Sequence, residues 1–163
     1  VDGVFELHQA YISAVPDYTG RVTVPTLWDK ETWTIVNNES SEIIRMLNTE
    51  FDQWGDASLD LYPADLRAEI DAVNERVYAT VNNGVYRCGF AKSQEAYEEA
   101  YHKLFATLDH LDELLGTRRY LCGERVTEAD WRLYVTLVCC DAAYYGNVKC
   151  NERYIYEYPN LAN

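Results

Sequence analysis

A glutamate and a serine at the predicted start of a helix are the residues best suited to bind a charged small molecule. Glu39 and Ser40 follow the turn-forming pair Asn37-Asn38, and an amphipathic apolar pattern begins at Ile43. Backbone N–H groups at a helix start lack intrahelical acceptors and can therefore receive an anion. Helix capping alone would also explain both residues, so capping and ligand binding remain open on the residues alone.

The other residues whose side chains could do chemistry are five cysteines: Cys88, Cys122, Cys139, Cys140 and Cys150. None of them shows CxxC spacing, and the three histidines form no cluster beside them, so neither a disulfide framework nor a zinc site is predicted. Buried free thiols are the default expectation. Cys88 has Arg87 as its only obvious cationic neighbour, so it is not assigned a catalytic role.

The charge of the chain limits its partners. With 14 basic and 27 acidic residues among 163, the net charge is −13, which disfavours nucleic acid and anionic membrane surfaces as partners. Small molecules and other proteins remain as possible partners. The acidity is interpreted as ordinary solubility and not as an adaptation to high salt. The sequence shows neither a long apolar run nor a charged-then-apolar leader, so a cytoplasmic protein is expected.

Two short apolar runs precede the helix start and predict a β-hairpin. Residues 22–27 and 32–36 are rich in β-branched side chains and flank the polar turn 29–31. Pro25 cannot donate to a strand ladder, so it is expected on an edge or where the backbone turns outward. Upstream, residues 5–12 have the spacing of a short helix. Downstream, residues 51–63 lack a sustained period and are interpreted as a linker.

The second half of the chain is predicted to be helical throughout. A helix beginning at Pro63 is expected to end at Asn82-Asn83-Gly84, followed by a loop over 85–92. Ser93 and Gly116 bound the next helix. Thr127 and Asp130 form a capping-box variant, which gives Asp130 a structural role. The helix after it, over 131–140, is apolar on nearly every side and is expected to be buried all round.

Several segments together resemble the glutathionyl-hydroquinone reductases, the xi class of glutathione transferases. The segments are YTGRVTVP at 18–25, LWDK at 27–30, IVNNESSEIIRM at 35–46, NNGVYR at 82–87, QEAY at 94–97 and KCN at 149–151. The resemblance implies a mainly α fold with a small α/β part. Residues 1–50 would form the C-terminal half of a thioredoxin-like glutathione-binding domain, residues 51–63 a linker, and residues 64–163 an incomplete all-α domain, with the chain truncated at both ends.

The same resemblance implies the site residues. Pro25 would be cis, and the backbone of Val24 would pair with the cysteinyl part of glutathione like an added strand. Glu39 and Ser40 would hold the γ-glutamyl end. Tyr86, expected in the loop after a helix end, and Tyr144 would contact the hydroquinone.

The implied reaction is reduction of a small-molecule quinone–thiol conjugate through a cysteine mixed disulfide, with glutathione or another γ-glutamyl thiol as co-substrate. A homodimer follows from the resemblance alone. The family's Cys-Pro-Trp segment does not occur in this sequence, so no residue is named catalytic and the nucleophile is expected upstream of Val1. A non-catalytic binding or interaction module with the same fold is the alternative.

Overall fold

The computed structural model describes residues 6–163, so Phe5, assigned above to the first helix, lies outside the described residues. The chain divides into two compact units, Val1–Leu59 and Asp60–Asn163. Over residues 6–59 the first contains a small hairpin, two α-helices and a single 3-10 turn at Asp52–Trp54, and the second is helical. This is the predicted combination of a small α/β part with a larger all-α part.

The first unit runs helix, strand, strand, helix. Its elements are α1 (Leu7–Ala14), β1 (Leu27–Asp29), β2 (Thr34–Asn37) and α2 (Ser40–Thr49). The strands pair antiparallel, and their register is irregular between Leu27 and Trp28. A hairpin followed by a helix is therefore confirmed in the predicted order, and α2 begins within the predicted Glu39–Ser40 helix start.

The predicted first strand over 22–27 is wrong in its extent, because the strand begins only at Leu27. The Thr23 carbonyl accepts hydrogen bonds from the hydroxyls of Tyr11 at 2.8 Å and of Thr26 at 3.0 Å. Side chains thus satisfy a backbone group that a strand would have paired with a neighbouring strand. The second strand begins at Thr34, two residues later than predicted.

The second unit is built from five helices and short turns. The helices are α3 (Arg67–Val77), α4 (Asn83–Gly89), α5 (Gln94–Leu115), α6 (Glu128–Cys139) and the short α7 (Tyr145–Asn147). A single π-helical turn, Tyr78–Asn82, connects α3 to α4, and a second one, Cys140–Tyr144, follows α6. The side chain of Ser93 caps α5 and that of Asp130 accepts from the Thr127 N–H at 2.8 Å, so both predicted caps are confirmed.

The predicted helix end at Asn82-Asn83-Gly84 is wrong, and with it the loop over 85–92. The Asn82 amide donates instead to the Arg132 carbonyl at 2.9 Å and to the Thr136 hydroxyl at 2.6 Å, both on α6. Val85 is fully buried and continues the apolar period of the preceding helix. Packing therefore overrides the local turn propensity, and helical geometry extends through Gly89.

The core of the second unit gathers buried side chains from α3 to α6, including Ile70, Leu104, Leu108 and Leu133. The expectation that the helix over 131–140 is buried all round is wrong. Trp131, Tyr134, Val135 and Val138 lie on α6 and are each more than half exposed. Only one stripe of the helix faces the core, which is the ordinary arrangement of a surface helix. Among residues 6–163, no helix combines the length and apolarity needed to cross a bilayer.

Candidate functional site

The loop before the hairpin presents an open stretch of backbone. The Val24–Pro25 peptide bond is cis, as the resemblance implied, and the Val24 side chain is 76% exposed. Within residues 6–163, the backbone N–H and C=O of Val24 make no hydrogen bond. An extended ligand could therefore pair with this backbone as an added strand would.

The hydroxyl of Tyr11 fixes this loop against the turn that precedes α2. It donates to the Thr23 carbonyl at 2.8 Å, accepts from the Asn38 side-chain amide at 3.1 Å, and lies 3.3 Å from the Thr26 hydroxyl. Tyr11 is only 2% exposed. One buried phenol thus connects the Val24 loop with the residues leading into the helix.

The start of α2 has the geometry of a helix N-terminus capped by its own glutamate. The Glu39 carboxylate accepts from the Ser41 N–H at 3.3 Å and from the Ser41 hydroxyl at 3.1 Å. Ser40, the first helical residue, and Glu39 are both exposed. The capping interpretation is therefore correct for Glu39, whose carboxylate also accepts from the Ser40 hydroxyl at a long 3.5 Å. The Ser40 N–H has no acceptor among the described residues, so an anionic group can bind there.

All four predicted thiol-binding residues lie in the first unit, and Tyr11 joins the two segments that carry them. The prediction did not identify Tyr11, which it assigned only to a short helix. The available signal was a tyrosine on the apolar side of that helix, since the hydroxyl of a buried tyrosine requires a polar partner.

In the second unit, the structure brings the two predicted tyrosines together. Tyr86 projects from α4, and not from a loop as predicted, while Tyr144 ends the π-helical turn after α6. Their hydroxyls are 3.1 Å apart and their rings meet edge to face, with centroids 5.8 Å apart. The Phe90 ring is nearly parallel to that of Tyr86, with centroids 6.4 Å apart, and Phe90 is 78% exposed. The arrangement forms an exposed aromatic surface with two adjacent phenols.

The hydrogen bond between the phenols occupies one of their two protons. Either hydroxyl can be the donor, so the pair keeps one phenol proton that can point toward a ligand oxygen. The bond to Tyr86, and secondly burial, raise the pKa of Tyr144 well above the ordinary value of a phenol.

Comparisons with known proteins agree on one family. The model of the glutathione S-transferase N-terminal domain matches residues 6–50, and that of the C-terminal domain matches residues 94–163. The chain is 59% identical to glutathionyl-hydroquinone reductase PcpF of Sphingobium chlorophenolicum, over 99% of this chain and 52% of that protein.

Solved structures give the same result. The glutathione-bound structure of the glutathione transferase homologue YqjG from Escherichia coli K-12 matches with a TM-score of 0.93 at 54% identity, covering 95% of this chain and 50% of that one. A xi-class glutathione transferase from Natrialba magadii matches with a TM-score of 0.95 at 50% identity, covering 99% and 49%. The chain spans about half the length of the curated relatives it matches.

Proposed function

The chain belongs to the xi class of the glutathione S-transferase family, and on that premise we propose that the protein reduces glutathionyl-hydroquinones to hydroquinones with glutathione as thiol co-substrate. The observation that carries the proposal is the open Val24 backbone, tied through Tyr11 to the start of α2. That arrangement supplies a strand edge and a helix N-terminus within one unit, which are the two elements needed to hold an extended γ-glutamyl peptide.

The first unit is proposed to bind the glutathionyl moiety. The Val24 N–H and C=O pair with the cysteinyl backbone, with Pro25 fixing the direction of the loop. The Ser40 N–H and hydroxyl receive the γ-glutamyl carboxylate, and the Glu39 carboxylate receives the γ-glutamyl ammonium. Because these contacts address the backbone and the γ-glutamyl group, another γ-glutamyl thiol would satisfy them equally well.

The second unit is proposed to supply the groups for the hydroquinone. Tyr86 donates its proton to a hydroquinone oxygen, while its contact with the Tyr144 hydroxyl at 3.1 Å orients it. In the reaction, a cysteine thiolate attacks the glutathionyl sulfur, the bond from sulfur to the ring breaks, and the ring carbon takes a proton. The resulting mixed disulfide is attacked by a second glutathione, which leaves as glutathione disulfide and restores the thiolate.

The nucleophile is proposed to be a cysteine upstream of Val1. All five cysteines of this chain fall within 88–150, in the helical unit, and none lies in the unit that carries the proposed thiol-binding residues. Four of the five are buried. A gene whose reading frame upstream of Val1 contains no cysteine would contradict this assignment.

Residues 1–50 are proposed to belong to the thioredoxin-like glutathione-binding domain, residues 51–63 to the linker and residues 64–163 to the all-α domain. We further propose that the protein is a cytoplasmic homodimer, which light scattering and cell fractionation would test.

Glutathione titration calorimetry on the protein expressed from its whole gene tests the proposed site. Ser40→Ala and Glu39→Gln should each weaken binding about threefold to thirtyfold, because each removes a contact to a charged ligand group. Glu50→Gln is the matched control, since Glu50 is an exposed carboxylate at the opposite end of α2. Equal affinities in all four proteins would contradict the site.

A further inference from the structure

The helical unit contains a cavity between the end of α4, the start of α5 and the segment that follows α7. Its volume is about 410 Å³, and its lining includes Lys92, Ser93, Tyr97, Asn147, Lys149 and Asn151. A cavity of this size is sufficient for a small organic molecule. Neither Tyr86 nor Tyr144 lines it, so it is separate from the aromatic surface described above.

The charge of this cavity is opposite to that of the chain. Two of the four lysines in the sequence line it. Within residues 6–163, the side chains of Lys92 and Lys149 make neither an ion pair nor a hydrogen bond. None of the lining residues that the structure describes is acidic. In a chain with a net charge of −13, two unpaired ammonium groups at one cavity create a local positive potential that favours an anion.

Two acidic side chains in the first half of α5 have partners of their own. The Glu98 carboxylate accepts from the Gln94 side-chain amide at 2.9 Å. Glu99 forms an ion pair with Lys103 at 2.6 Å, one turn further along the helix. Lys103 therefore has the carboxylate partner that the two lysines of the cavity lack.

The backbone of Lys149 is held in a conformation that side chains rarely adopt. Its φ is +59°, in the left-handed region. The Tyr97 hydroxyl donates to the Lys149 carbonyl at 2.6 Å, and the next N–H, that of Cys150, donates to the Tyr144 carbonyl at 3.1 Å. Such strain persists only where surrounding contacts impose it, and it is concentrated at binding sites. The contacts also fix the point from which the Lys149 side chain projects.

The facing wall of the cavity is held equally closely. Gly89 ends α4 and Val148 precedes Lys149, and both residues line the cavity. A Cβ added at Gly89 would lie 2.5 Å from a methyl carbon of Val148, so the two segments are in direct contact. The cavity is therefore formed before any ligand enters, which lowers the cost of binding.

We propose that this cavity binds a small molecule through a phosphate group, with Lys92 and Lys149 as the cationic contacts. A lysine ammonium is a compact point charge with three donors, which matches the several oxygens of a phosphate dianion. The arginine fork, which matches a planar carboxylate bidentately, is absent from the described lining although the chain has ten arginines. The site uses only residues of the helical unit and does not depend on the reaction proposed above.

Calorimetric titration of the protein expressed from its whole gene with inorganic phosphate tests the site, at constant ionic strength. We expect saturable binding to the wild type. Lys92→Gln and Lys149→Gln should each weaken it about threefold to tenfold, because each removes a charged donor that is exposed to water. Lys103→Gln is the matched control, since Lys103 lies on α5 outside the cavity, and it should bind as the wild type does.

Succinate provides a comparison with a dicarboxylate, and it should bind at least about fivefold more weakly than phosphate. Equal affinity for the two anions would contradict the phosphate assignment. The proposal is also wrong if the wild type shows no saturable binding of phosphate, or if both cavity variants bind it as tightly as the wild type.

Two further measurements do not depend on the glutamine variants. Phosphate should slow the acetylation of Lys92 and Lys149 by an amine-reactive ester, mapped by mass, and leave that of Lys103 unchanged; equal rates with and without phosphate would contradict the site. Lys149→Gly removes the ammonium and allows the left-handed backbone, so it should lose affinity while its urea midpoint is no lower than that of the wild type. A lower midpoint would show that the Lys149 side chain is retained for stability, against the proposal. These readouts do not involve glutathione, so their outcome is separate from that of the reductase assay.

Discussion

Replacing Tyr11 by phenylalanine isolates the hydroxyl that ties the Val24 loop to the start of α2. The change removes the donor to the Thr23 carbonyl and the acceptor for the Asn38 amide, at 2.8 and 3.1 Å. A buried polar group that loses its partner costs about 1–3 kcal/mol. The Thr23 carbonyl keeps its bond from the Thr26 hydroxyl, and Asn38 is exposed to water, so the lower part of that range applies.

We therefore expect Tyr11→Phe to lower the free energy of unfolding by about 1–2 kcal/mol, measured by urea denaturation. Glutathione affinity should fall about tenfold, because the loop and the helix start no longer share a fixed connection; tenfold corresponds to about 1.4 kcal/mol. Calorimetry measures this affinity on the folded protein, separately from stability.

The control for this experiment is Tyr18→Phe. Tyr18 packs against Tyr11 with ring centroids 4.9 Å apart, and its hydroxyl donates to the Arg21 carbonyl at 2.9 Å in an exposed setting. Removing that exposed hydroxyl should change stability by no more than about 0.5 kcal/mol and leave affinity unchanged. If Tyr11→Phe binds glutathione as tightly as the wild type, Tyr11 does not position the site.

Three further predictions concern the helical unit. Asp130→Ala should cost about 1–2 kcal/mol of stability in urea denaturation, because the carboxylate caps the Thr127 N–H at 2.8 Å, and an unchanged midpoint would contradict this. Gly89→Ala should lower the free energy of unfolding by about 1–3 kcal/mol, since its Cβ would lie 2.5 Å from Val148. An equally stable variant would show that α4 and the Val148 segment can move apart without cost. The raised pKa of Tyr144 keeps this phenol protonated until well above about pH 10. In a spectrophotometric titration, the wild type and Tyr144→Phe should therefore show the same tyrosinate absorbance below that pH.

The order of elements was predictable from local patterns. Caps at Ser93 and Thr127, the polar turn between the strands and the Glu39–Ser40 helix start each follow from side-chain chemistry within four residues. The element boundaries that were predicted wrongly depend on contacts with residues distant in sequence. Asn82 has the local signature of a helix end, but its side-chain amide donates to the Arg132 carbonyl of α6, fifty residues later.

The same limit applies to the site. Glu39 and Ser40 were recognisable because a helix start has a local signature, whereas Tyr11 acts through Thr23 and Asn38, which are distant in sequence. The apolar composition of α6 predicted burial, but composition does not indicate which face has a neighbour, and Trp131 is 53% exposed.

Steady-state turnover of a glutathionyl-hydroquinone by the protein expressed from its whole gene tests the central claim most directly. With glutathione present, the account predicts that free hydroquinone and glutathione disulfide appear in equal amounts. Tyr86→Phe should lower kcat/KM about tenfold or more, with glutathione affinity unchanged. A protein that binds the conjugate and returns it unchanged would contradict the reductase function and would identify a binding module.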